Sequence, residues 1–95
     1  MPAAARQGDA GIIDCSSFTI AQGSLNVFIN NKPAARVGDS TTVHKWKNNK
    51  CKPHVSKITA GSNSVRVNNL PLARVGDPFL LCTKVAQGSP NVFSG

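Results

Sequence analysis

The stretch Pro33-Ala34-Ala35-Arg36-Val37-Gly38-Asp39 decides the fold, because the chain uses it three times. It stands earlier as Ala4-Ala5-Arg6-Gln7-Gly8-Asp9 and later as Leu72-Ala73-Arg74-Val75-Gly76-Asp77. A second block follows each copy. It begins Gly23-Ser24 and runs through Asn26-Val27-Phe28-Ile29-Asn30-Asn31; its second copy begins Gly61-Ser62 and includes Val65-Arg66-Val67-Asn68-Asn69. The third is Gly88-Ser89-Pro90-Asn91-Val92-Phe93-Ser94-Gly95. Self-similarity at this scale marks a repeat architecture. Three units of a turn, a variable loop, a Gly-Ser turn and a strand fill one domain, with approximate bounds 3–32, 33–70 and 71–95. These bounds leave no room for an appended effector domain.

The strand segments show period-two alternation and β-branched content. Val27 and Ile29 share one face with Phe28 opposite; Val65 and Val67 match them, with Arg66 opposite, and Val92 aligns with Val27 and Val65. The Asn pairs tolerate positive φ and suit tight turns. Each unit therefore reads as a short hairpin leading into the next Arg-x-Gly-Asp corner. The class is all-β, and Gly, Pro, Asn, Ser and Val spread along the chain argue against long helices.

In each corner Gly8, Gly38 or Gly76 supplies an unusual φ. Asp9, Asp39 or Asp77 accepts backbone N–H groups. Arg6, Arg36 or Arg74 pairs with that Asp. Recurrence favours a structural role, since a catalytic group is needed once and a corner in every repeat.

Composition bounds the rest. The chain has 95 residues, 11 Lys and Arg against 4 Asp and Glu, and a formal net charge of +7. No apolar run approaches the ~20 residues of a membrane span. The N-terminus lacks the apolar stretch of a secretory signal. Asp14 is the only carboxylate side chain outside the corners, so chemistry with paired carboxylates is excluded. A Cys–His hydrolase would need a cleft and an oxyanion hole that short strands scarcely provide. A domain this small usually needs a staple.

Cys and His residues offer one. His44 and Cys82 each fall five residues after the corner Asp, and Cys15 falls six after Asp9. Arranged about a pseudo-three-fold axis, these three side chains converge. The long second loop, residues 40–60, adds His54 or Cys51. Thiolate and imidazole in tetrahedral number suit Zn²⁺. A Cys15–Cys82 disulfide is a rival use of two of these residues.

The Pro-Ala-Ala-Arg run at residues 33–36, with Gly23 to Lys32 before it, resembles the PAAR-repeat family over essentially the whole chain. That resemblance implies a small cone of short β-strands that forms the tip of the spike in type VI secretion systems and contractile phage tails. It implies a broad base seated on a trimeric β-helical spike, one copy per trimer, and a monomer when alone. It implies one zinc ion per chain near the apex, transient contact with a target membrane and attachment of effector proteins. It also places the protein in the cytoplasm before firing and at the translocated tip afterwards, or on a virion tail. Loop by loop, the family's ligands fall on His44, His54, Cys82 and, where the family usually has His, Cys15, with Cys51 as the alternate. The other reading of the charge is a small basic zinc domain that binds nucleic acid. Aromatic residues at 5% are few for a stacking platform, and Lys45–Lys57 reads as a solvated loop or an effector dock.

Overall fold

The computed structural model describes residues 1–47 and 50–95. The chain is all-β: six short strands form three separate antiparallel pairs. β1 (Phe28–Ile29) pairs with β2 (Lys32–Pro33), and β5 (Arg66–Val67) with β6 (Leu70–Pro71). The Asn pairs close both hairpins at positive φ, 53° and 65° at Asn30 and Asn31, 53° and 66° at Asn68 and Asn69. Two successive left-handed residues give a turn whose twist matches the flanking strands.

The third unit has no Asn pair and is closed differently. Phe93 bridges to Ala3, at the positions that Phe28 and Pro33 or Arg66 and Pro71 hold in the other units. The Ala4 N–H donates to the Val92 carbonyl at 2.9 Å, as Ala34 does to Val27 and Leu72 does to Val65. The start of the chain thus completes its last hairpin.

The three corners meet at a pseudo-three-fold axis. Ala5 N–H donates to the Ala73 carbonyl, Ala73 N–H to Ala35 and Ala35 N–H to Ala5, at 2.9, 2.9 and 3.0 Å. Three backbones this close leave room for little beyond a methyl group, and all three alanines are fully buried. The overall extents of 36 × 24 × 22 Å, with two nearly equal, suit such an axis.

Each corner is built alike. Gly8, Gly38 and Gly76 stand at φ 93–95°, where a side chain would be strained. Each corner Asp takes the N–H of its own Arg through Oδ2 (2.7–2.8 Å) and the guanidinium through both oxygens. The corner glycine N–H donates to Ile20, Ile58 or Val85, whose side chains fill the centre of the core. The recurring Ser24, Ser62 and Ser89 are buried because each hydroxyl accepts the N–H of Val27, Val65 or Val92 at 2.9 Å.

Beyond the Ile20/Ile58/Val85 level the symmetry is filled unequally. Phe18 and Phe79 pack edge to face with ring centroids 5.2 Å apart. Gly11 makes the space: a Cβ there would lie 2.3 Å from Phe18 Cζ. The long second loop differs from its reading as a solvated loop. It holds a third hairpin, β3 (His44–Trp46) with β4 (Lys52–His54), in which His44 faces His54. Lys50 and Cys51, at φ 52° and 62°, lie in its turn, and the Trp46 ring stacks on His54.

Candidate metal centre

The corner geometry carries each unit's loop outward by the same path, so residues in equal register converge. His44 stands five residues after Asp39 and Cys82 five after Asp77. In the first unit that position is Asp14, and Asp14 is what the fold delivers. One donor atom from each of Asp14, His44, His54 and Cys82 lies within 4.8 Å of the other three. Cys15 does not join them. It is bonded to Cys51, which removes both residues from the donor set. The expectation of Cys15 as a ligand, with Cys51 as its alternate, is corrected on this point, as is the Cys15–Cys82 pairing. A strict count of register along the three units names Asp14, five residues after Asp9.

His44 is buried and clamped. Its ring stacks on Phe18 at 3.8 Å. Its Nδ1 sits 3.0 Å from the Thr42 carbonyl, an acceptor, so the proton belongs on Nδ1 and the Nε2 lone pair points into the cluster. His54 comes from β4, with its Nε2 2.9 Å from His44 Nε2. Cys82 Sγ lies 3.3 Å from His44 Nε2 and donates to Asp14 Oδ2 at 3.1 Å. Asp14 Oδ1 accepts the Lys47 N–H at 2.9 Å, which turns Oδ2 inward. Neither aromatic platform, Phe18 or Trp46, was singled out from sequence as part of a site, since a lone ring in a loop carries no spacing signal.

The electrostatics prepare the donors. Burial alone would raise the Asp14 carboxyl, but the Lys47 N–H, the Cys82 thiol and the two histidines together hold it below its usual range. Burial, reinforced by His44, lowers His54. Burial and the bond to Asp14 push the Cys82 thiol up. The lowered carboxyl and the lowered imidazole favour the deprotonated forms that bind an ion, and the thiol must release a proton on binding one.

The fit to a metal follows from spacing and chemistry. A tetrahedral centre with metal–N distances of about 2.0–2.1 Å and metal–S of about 2.3 Å holds its donor atoms about 3.3–3.6 Å apart. Contacts of 2.9–3.3 Å between neighbouring donors need slight opening, and the widest separations, up to 4.8 Å, need to close. Asp14, Lys47, Leu81, Cys82 and Thr83 line an open cleft of about 160 Å³ beside the cluster, which gives an ion a way in. The set can hold a metal ion and tie all three loops together through it.

Around this end, the residues just before Asp14, His44 and Cys82 are exposed aliphatics: Ile13, Val43 and Leu81, at 64, 68 and 65%. At the hairpin end, Val27, Val65 and Val92 are exposed at 37, 39 and 37%. All four aspartates are buried, while every lysine is exposed, so no side-chain carboxylate offsets the surface cations. No helix among the described residues is long and apolar enough to cross a membrane.

The PAAR motif family model matches residues 2–43 and 48–95. No curated protein matches the sequence. The chain belongs to the PAAR motif family.

Proposed function

We propose that this PAAR-motif chain caps a trimeric β-helical spike of a contractile injection machine, as a structural tip without catalysis. The observation that carries the reading is the near-equal exposure of Val27, Val65 and Val92 on one end of a single chain. Repetition within one chain lets a monomer match a three-fold partner. The strand ends of a β-helix invite aggregation unless covered, and the hairpins beside these valines could cover them by strand addition.

Asp14, His44, His54 and Cys82 would hold one zinc ion per chain. Zinc there crosslinks the three loops and stiffens a domain whose own core is small. The exposed ring of Ile13, Val43 and Leu81 lies beside that centre and would be the first apolar surface to meet a target membrane. Lys45, Lys47 and Lys50 on the second loop are a dock for separate effector proteins.

The test is the mass of the complex with a trimeric spike fragment. One copy per trimer, with one zinc retained, supports the reading. Loss of the complex in a Val27→Asp, Val65→Asp, Val92→Asp variant that keeps its metal assigns the face. No complex, or three copies per trimer, refutes it. The absence of exposed side-chain carboxylates among the described residues favours one second reading, a basic domain that binds nucleic acid. Its mark would be DNA binding that weakens steeply with salt.

A further inference from the structure

The Cys15–Cys51 disulfide spans 36 residues of sequence and lands on both halves of the metal centre. Cys15 directly follows Asp14. Cys51 sits in the turn between β3, which carries His44, and β4, which carries His54. The bridge therefore fastens the segment of one donor to the hairpin of two others. Apart from the bridge, three hydrogen bonds join these segments among the described residues: Cys15 N–H to the Lys45 carbonyl (3.1 Å), Lys45 N–H to Ser16 Oγ (2.9 Å) and Lys47 N–H to Asp14 Oδ1 (2.9 Å). The Lys45–Ser16 bond is exposed, where water competes for its partners, and the Lys47–Asp14 bond is half-buried. Cys51 is exposed and Cys15 half-buried, so an incoming reagent meets the Cys51 sulfur first.

We propose that Cys15–Cys51 is a thiol–disulfide exchange site that latches the metal centre, with a small thiol of the glutathione class as its reactant. The inference rests on reading Asp14, His44, His54 and Cys82 as metal ligands. In the opening direction a thiolate attacks Cys51 Sγ. The Cys15–Cys51 bond breaks and Cys15 leaves as a thiolate that takes up a proton. A second thiol then attacks the external sulfur of the mixed disulfide and releases Cys51. The net exchange is one protein disulfide and two thiols for one protein dithiol and one small disulfide, with two electrons passing to the protein. The reverse reaction closes the latch. With it closed, Asp14 cannot swing away from the hairpin that holds His44 and His54. With it open, hydrogen bonds alone tie the Asp14 segment to that hairpin among the described residues, and the metal escapes faster.

The experiment uses the whole chain loaded with zinc. Intact mass across a series of reduced-to-oxidised glutathione ratios follows the two-dalton change of the bridge, and peptide mapping locates it. Metal release into excess chromogenic chelator is then timed for the oxidised protein, the reduced protein and a Cys15→Ser, Cys51→Ser variant. Release from the oxidised protein is expected to be about tenfold slower than from the other two. The variant is expected to match the reduced protein and to ignore glutathione. Equal release from oxidised and reduced wild type overturns the latch and leaves the metal centre standing. Failure of both forms to hold zinc overturns the latch and the metal centre together. A bridge mapped to Cys82, or none in the oxidised series, overturns the exchange site. Because wild type is compared in two redox states, a variant that fails to fold does not weaken the test.

Discussion

The three corners offer one ion pair in three graded settings, and alanine substitution of each Asp should cost different amounts. Asp9 is fully buried and Arg6 has a side chain 6% exposed. Arg36 and Asp39 stand at 17% and 6%, and Arg74 and Asp77 at 20% and 9%. The supports are graded too. Arg6 also donates to Asn30 Oδ1 and the Gly88 carbonyl, and Arg36 to Asn68 Oδ1. Removing Asp9 strands a guanidinium and a backbone N–H where water barely reaches. Breaking a buried pair from one side costs about 3–5 kcal/mol. At Asp77 the freed guanidinium is partly solvated, and the loss falls to about 1.5–3 kcal/mol, the scale of charged hydrogen bonds. Asp39→Ala should lie between. For a domain of this size each kcal/mol lowers Tm by about 4–8 °C. Urea unfolding at saturating metal measures all three. Equal losses, or the greatest loss at Asp77, would refute the argument that burial sets the weight of each corner.

Other consequences follow from the site and its packing. Asp14→Ala should weaken zinc binding by more than the ~10–100-fold typical of groups that merely support a ligand; competition with a chelator of known affinity measures it. Because the Cys82 thiol is pushed up and must lose its proton to bind, affinity should rise with pH through the neutral range, about tenfold per unit. The carboxyl of Asp14 and the imidazole of His54 are held low, which favours their metal-binding forms; titration of affinity from pH 6 to 8 checks the slope. Gly11→Ala would place a methyl group against the Phe18 and Phe79 rings. It should cost about 1–3 kcal/mol as overpacking, seen as a lower Tm with zinc stoichiometry unchanged.

The fold was largely legible because its determinants are local and repeated. An Arg-x-Gly-Asp corner makes its own bonds within four residues, so its letters announce its shape three times. The hairpins at Asn30-Asn31 and Asn68-Asn69 were equally plain, since few residues accept paired left-handed φ. The closing of the third hairpin by Ala3 was not, because nothing near Phe93 names a partner ninety residues upstream. The site was half legible. His44 and Cys82 follow from counting along equivalent units, and Asp14 follows from the same count applied without preference for sulfur. His54 depends on a hairpin inside the long loop, and the Cys15–Cys51 bond on how two loops lie side by side. Loops without periodicity leave no such trace in sequence.

The pairing of Ala3 with Phe93 also sets a clock. During synthesis the segment at Ala3 has no bridge partner until the third unit is made. Ala5 must wait in the same way, because it donates to Ala73 and accepts from Ala35. The segment around Ala3 to Ala5 therefore finds its partners only once the third unit is made, and the three-way junction closes in a single late event rather than unit by unit. Contacts so distant in sequence slow folding. They also mean that a fragment ending before Phe93 should remain open to proteases, while residues 1–95 together should resist them throughout.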